Sequence, residues 1–147
     1  MVLFRGTFDH TLDAKNRLTV PARYRAALSE GVVLAKPVDQ KPCLGVWRPE
    51  EYDSYTRRAL AGVPELSSRR SELERYFYGS SQDTELDAAG RIMIPGFLSE
   101  DAGLSKEVVV VGVGDRLELW DRGAWSEHRS TLLSGVAEVT ARVDDAA

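Results

Sequence analysis

Cysteine occurs once in this chain, at Cys43, so no intrachain disulfide can brace the fold. The lone thiol reads as a small buried hydrophobe in a reducing compartment. Histidine is almost as scarce: His10 and His128 stand far apart, and with a single cysteine they make no metal-ligand set. The longest apolar run, Val108 to Val113, is interrupted by Gly112 and is far too short to span a membrane. Met1 to Arg5 lacks the basic start and apolar stretch of a secretory signal. No Gly-x-Ser-x-Gly elbow is present. Gly112-Val113-Gly114 leads into a strand, not the helix that a dinucleotide site needs. These absences predict a cytoplasmic protein that is not an enzyme, with no cofactor, no metal, no membrane contact and no small-molecule substrate.

What the chain does have is a repeat. Leu12-Asp13-Ala14-Lys15-Asn16-Arg17-Leu18-Thr19-Val20-Pro21 returns as Leu86-Asp87-Ala88-Ala89-Gly90-Arg91-Ile92-Met93-Ile94-Pro95, shifted by 74 residues throughout. Leu44-Gly45-Val46-Trp47 matches Leu117-Glu118-Leu119-Trp120 at a shift of 73, as do Tyr52 with Trp125 and Leu60 with Leu133. Residues 7–60 and 81–134 are therefore two copies, with 61–80 a helical connector and 135–147 a C-terminal tail. Each copy is near the lower size limit for a stable core of its own, so the two are expected to share one core as a pseudo-twofold pair.

Within a copy, Asp13 to Asn16 reads as a tight turn. Asp is favoured at its first position because its carboxylate can bond the backbone two residues on. Asn16 aligns with Gly90, and Asn and Gly are the residues that enter the left-handed region most cheaply, so both positions are expected at positive φ. Asp13, Asn16, Asp87 and Gly90 are thus the turn-supporting residues. Arg17 to Val20 and Arg91 to Ile94 alternate as short strands. Pro21 and Pro95 suit the start of a helix, and Ala22 to Leu28 is a good short helix former.

Further strands are expected at Val32-Val33-Leu34 and Cys43 to Trp47, around a polar loop at Asp39 to Pro42, and at Val108 to Val111 and Leu117 to Trp120, joined by a hairpin turn at Gly112 to Asp115. Pro49 opens a helix with Tyr52, Tyr55, Ala59 and Leu60 on one face, broken at Gly62-Val63-Pro64. Ser67 to Tyr78 forms a second helix. Trp47, Trp120 and Trp125 fall on apolar periodicities and read as core.

Net charge is −4, which on its face opposes nucleic-acid binding. The distribution is uneven. Met1 to Leu28 carries Arg5, Lys15, Arg17, Arg23 and Arg25 against Asp9 and Asp13. Ser80 to Leu104 carries Arg91 against Asp83, Glu85, Asp87, Glu100 and Asp101. A phosphate-facing surface would draw mainly on the first copy.

The paired turn motif resembles the AbrB/SpoVT swapped-hairpin DNA-binding element, here fused twice in one chain, and the fused form is similar to the MraZ family. Phe4-Arg5-Gly6, Arg17 to Arg25, Gly103 to Val108 and Leu117 to Asp121 extend the match over nearly the whole chain. The resemblance implies an α+β fold of two pseudo-symmetric swapped-hairpin β-barrel repeats with flanking short helices. It also implies a nucleoid-associated transcriptional regulator of the bacterial division and cell-wall gene cluster, a ring-shaped homo-oligomer that binds G-rich direct repeats of double-stranded DNA in its own promoter as a repressor. The family's DNA-contacting turn maps onto Asp13, Lys15 and Arg17, and onto Asp87 and Arg91. Two departures stand out: Asn16 replaces the usual Gly, and Ala89 stands where a second Lys would be.

On this reading Arg17 is the base reader, because a guanidinium can bond guanine O6 and N7 together. Lys15, Arg5, Arg23, Arg25 and Arg91 are the remaining DNA-binding candidates, with phosphate contacts that position the protein. The bland reading of Arg17 is a salt bridge to Asp13 or Asp87, and of Arg23 and Arg25 a solvated helix face. Two other functions compete. One is an antitoxin-like DNA-binding module whose main partner is a toxin protein; such modules usually have one copy and a long tail. The other is an enzyme on a related barrel, cleaved at Gly79-Ser80 to a pyruvoyl group.

Overall fold

A computed structural model describes residues 2–146, so Met1 and Ala147, the last residue of the expected tail, lie outside it. Eight strands and five helices follow in order: β1 (Thr7–Thr11), β2 (Arg17–Thr19), α1 (Ala22–Arg25), β3 (Val32–Ala35), β4 (Cys43–Trp47), α2 (Pro49–Leu60), α3 (Ser68–Gly79), β5 (Ser81–Thr84), β6 (Arg91–Met93), α4 (Gly96–Asp101), β7 (Glu107–Gly112), β8 (Arg116–Asp121) and α5 (Arg122–Ala146). The second copy repeats the β-β-α-β-β order of the first.

The copies exchange strands. β1 of the first pairs with β7 of the second, and β5 of the second pairs with β3 of the first. The equivalent strands β2 and β6 pair with each other, with Leu18 opposite Ile92, and β4 pairs with β8, with Gly45 opposite Glu118. Both opposed pairs are repeat equivalents, so a pseudo-twofold axis runs through them. All pairings are antiparallel, and β1-β7-β8-β4-β3-β5 is one sheet while β2-β6 is a separate ribbon. Two repeats and exchanged hairpins are thus present, but the strands among the described residues do not close into a barrel. The reason is local: β2 and β6 pair with each other, and the residues that follow them, Val20 and Ile94, donate their N–H groups to the turn carbonyls of Gly90 and Asn16. That leaves β1 and β5 as the two sheet edges.

Both faces of the sheet are covered, which is why β3 and β4 are buried along their whole length. The inner face packs Leu34, Val46, Val110 and Leu119 against Leu18, Val20, Ile92, Ile94 and Leu98. Both copies contribute to this one cluster, so they share the main core. The outer face carries two smaller clusters, Trp47 and Val33 beneath α2, and Trp120, Val109 and Cys43 beneath the start of α5. Ribbon and long helices therefore lie on opposite sides of the sheet.

Helix details differ from the sequence reading in three places. α1 ends at Arg25, and the chain continues as turns to Leu28. In α2 the buried stripe is Tyr52, Thr56 and Leu60, at a spacing of four, and Ala59 is exposed. After Gly62-Val63-Pro64 the chain turns back into α3, whose Ser67 side chain accepts a hydrogen bond from Arg70 N–H. The second copy has Gly135-Val136-Ala137 at the equivalent place, and there α5 runs on unbroken through Gly135. The one change from Pro to Ala accounts for it. Pro64 removes a helix donor and forces its neighbour out of the helical region, whereas Ala137 does neither.

Candidate nucleic-acid interface

The two turns have matching geometry. Asp13 Oδ1 accepts from the backbone N–H of Lys15 and of Arg17, each at 2.9 Å, and its Oδ2 accepts from Arg17 Nε at 2.7 Å. Asp87 Oδ1 accepts from Ala89 N–H and Arg91 N–H, each at 2.9 Å, and its Oδ2 from Arg91 Nε at 2.8 Å. The backbone N–H of Arg17 and of Arg91, followed by the guanidinium Nε–H, holds each carboxyl below the usual carboxylate range. Asn16 and Gly90 both adopt positive φ, 59° and 75°. Each Asp therefore organises its turn and orients its Arg, and the bland reading of Arg17 as a salt-bridge partner of Asp13 describes the free protein.

That pairing uses one edge of the guanidinium. Among the described residues no acceptor takes a proton from Nη1 or Nη2 of Arg17 or Arg91. The two arginines lie diagonally on the outward face of the ribbon, because Leu18 and Ile92 point inward and the alternation turns their neighbours out. Arg17 stands across from Met93 and Arg91 across from Thr19. The four side chains cover one face of a two-stranded ribbon. Thr19 and Met93 were not singled out by sequence reasoning, although the period-two alternation in both motifs carried the signal.

The other candidates scatter. Lys15 is exposed at the tip of the first turn. Arg25 reaches across the repeat junction: its Nε donates to the Val20 carbonyl at 3.0 Å while its side chain lies against Gly90. Arg23 has its guanidinium carbon 5.5 Å from the ring centres of both Phe8 and Tyr24. Arg5 belongs to the N-terminal segment at the end of β1 remote from the Asp13 turn, where Phe4 bridges Gly114. Its carbonyl accepts a hydrogen bond from the Tyr24 hydroxyl. The ribbon thus gathers Lys15, Arg17, Arg25 and Arg91 around two acids, and sets Arg5 and Arg23 apart.

Gly79 ends α3 and Ser80 caps it, its N–H donating to the Tyr76 carbonyl. Cys43 is buried beneath α5, which pushes its thiol pKa up. No helix among the described residues is long and apolar enough to cross a membrane.

Comparison with known proteins gives a consistent set of similarities. A family model described as "MraZ protein, putative antitoxin-like" matches twice, over residues 3–71 and 77–145. A protein of Moorella thermoacetica named transcriptional regulator MraZ is 40% identical over 126 residues, 86% of each chain. One of the same name from Lachnoclostridium phytofermentans is 35% identical over 92% of this chain and 94% of its own. Another, from Heliobacterium modesticaldum, is 34% identical over 97% of this chain and 98% of its own.

Proposed function

This chain belongs to the MraZ family, and from that premise we propose that it is a DNA-binding transcriptional regulator, in the cytoplasm and at the nucleoid, whose DNA-reading element is the β2-β6 ribbon. The name that the relatives share, transcriptional regulator MraZ, supplies the regulator class. The observation that carries the reading is the pair of arginines on one outward ribbon face, each fixed through Nε by a turn aspartate with its Nη groups unclaimed. A two-stranded ribbon fits the major groove, and a positioned guanidinium edge matches guanine O6 and N7. Such a site reads G-rich DNA. Lys15 and Arg25 beside the turns supply phosphate contacts, with the first copy contributing more than the acidic second.

We further infer a homo-oligomer, in the ring form that the family resemblance implies, acting as a repressor on direct repeats in its own promoter. One ribbon is a small contact, and several held in one assembly raise effective affinity without new chemistry. Support comes from α5. Leu132, Val136, Val139 and Val143 are 44%, 55%, 59% and 63% exposed and recur at helical spacing along one face. A surface of that kind is what helix association between copies would bury.

The test is fluorescence anisotropy with DNA from upstream of the protein's own gene, over a salt series, beside a scrambled duplex. Preference for the upstream duplex, lost in Arg17→Ala at unchanged oligomeric state by light scattering, is the expected result. Equal weak binding to both duplexes at physiological salt would refute the DNA reading. A search for a toxin protein among captured partners would then follow from the antitoxin-like alternative.

A further inference from the structure

Resting on the ribbon reading above, we propose that Met93 and Thr19 are specificity-determining residues: Met93 meets a thymine methyl beside the guanine read by Arg17, and Thr19 meets a base edge beside Arg91. The pseudo-twofold makes the argument. Position 19 of the first copy is equivalent to position 93 of the second, and the ribbon register places each across from the other copy's arginine. A symmetric ribbon would present two identical couples. This one presents Arg17 with a thioether and Arg91 with a hydroxyl.

Neither side chain has a role in the fold. Met93 is 55% exposed, and Thr19 is exposed, while Leu18 and Ile92 between them are fully buried. Directly opposed side chains in an antiparallel pair stand about 5 Å apart. That is close enough for Met93 and Arg17 to reach neighbouring base pairs. In the major groove only thymine offers an apolar group, its C5 methyl, and a flexible, polarisable thioether is suited to cover it. A hydroxyl can donate or accept and so suits either base edge. With Lys15 at the tip of one turn and its equivalent Ala89 at the tip of the other, the two ends of the ribbon differ in charge, polarity and shape. The element therefore distinguishes the two orientations of its DNA, which a two-fold symmetric ribbon could not.

The test is selection from a pool of random 20-base-pair duplexes, run with wild type, Met93→Thr, Thr19→Met and the double exchange. All are surface changes, checked by melting temperature and light scattering. Wild type is expected to enrich an asymmetric site with thymine beside guanine. Replacing that thymine by deoxyuracil, which deletes only the methyl, should weaken wild type about fourfold and leave Met93→Thr unaffected. The double exchange should enrich the site with its asymmetry altered. Unchanged enrichment in all variants, or an equal uracil penalty in Met93→Thr, overturns the assignment while leaving ribbon binding intact. Failure of wild type to enrich any sequence overturns both.

Discussion

Arg25 lies across Gly90 so closely that a Cβ there would come within 2.5 Å of the arginine Nε. The same Nε holds the Val20 carbonyl. Across the pseudo-twofold, the Val20 equivalent is Ile94, and its carbonyl accepts from Asn16 Nδ2 at 2.8 Å. One copy satisfies the carbonyl with the side chain of the turn residue. The other has no side chain at that turn position, and Arg25 takes its place from α1. The departure of Asn16 from glycine and the position of Arg25 are one arrangement seen from two sides.

Gly90→Ala should therefore cost stability, through its positive φ and by displacing Arg25, by about 1–2 kcal/mol in urea denaturation. Gly90→Asn should cost less, since Asn tolerates the conformation and can supply the bond to Val20. In that background Arg25→Ser, which copies the Ser99 of the second repeat, should become nearly neutral. A full penalty for both changes in a double-mutant cycle would refute the equivalence.

Asp13→Ala removes a negative charge from a surface proposed to meet DNA, and electrostatics alone would predict tighter binding. The geometry predicts the opposite. Without the carboxylate the turn loses two backbone bonds and Arg17 loses its orientation, so affinity for the upstream duplex should fall roughly tenfold, within the range for one bidentate base contact. Anisotropy beside Arg17→Ala decides it, and a gain in affinity would sink the positioning role.

Asp13, Asp87 and Asp121 are all held below the usual carboxylate range. The first two are held by the N–H groups of their turns, and Asp121 by the Ser105 hydroxyl and the Ala124 N–H. Folded values lower than unfolded ones stabilise the protein above about pH 4, and the contribution fades as pH falls through the lowered values. Carboxyl chemical shifts followed by NMR should show all three midpoints below about 3.9. A midpoint at or above that value in either turn would contradict the described network.

Gly45→Ala places a Cβ 2.6 Å from Trp47 Nε1 and 3.2 Å from the Ala35 carbonyl. Overpacking at this buried position on the pseudo-twofold should cost about 1–3 kcal/mol. The urea midpoint should fall with an unchanged slope.

Ala137→Pro should give α5 the break that Pro64 gives the first copy. If α5 joins copies, light scattering should report smaller assemblies. Melting of the remaining body should shift little, because α5 packs on the sheet through its first turns, around Ala124 and Trp125. An intact oligomer would remove α5 from the interface.

The turns were legible in the sequence because their signals are local: an Asp with its backbone partners, a residue suited to positive φ, then alternation. The shared core was legible from the size of each copy. The break after α2 rested on Pro64, and its absence in α5 on Ala137, a difference visible once the copies are aligned through Gly62 and Gly135. Thr56 displaced Ala59 from the buried stripe because tertiary packing followed the spacing of four set by Tyr52 and Leu60. The role of Arg25 was not legible, since it depends on what another turn lacks. Alternation alone could not tell exchanged strands from strands paired within a copy, because both bury the same residues; that rested on the family resemblance.

Strand exchange also sets a clock. β1 leaves the ribosome well before its partner β7, which begins 100 residues later, with Glu107 opposite Thr11 and Val111 opposite Thr7. At typical synthesis rates β1 waits roughly 5–20 s for that partner. Its exposed positions are Thr7, Asp9 and Thr11. A strand with a polar face and a central charge is a poor template for stray pairing during the wait.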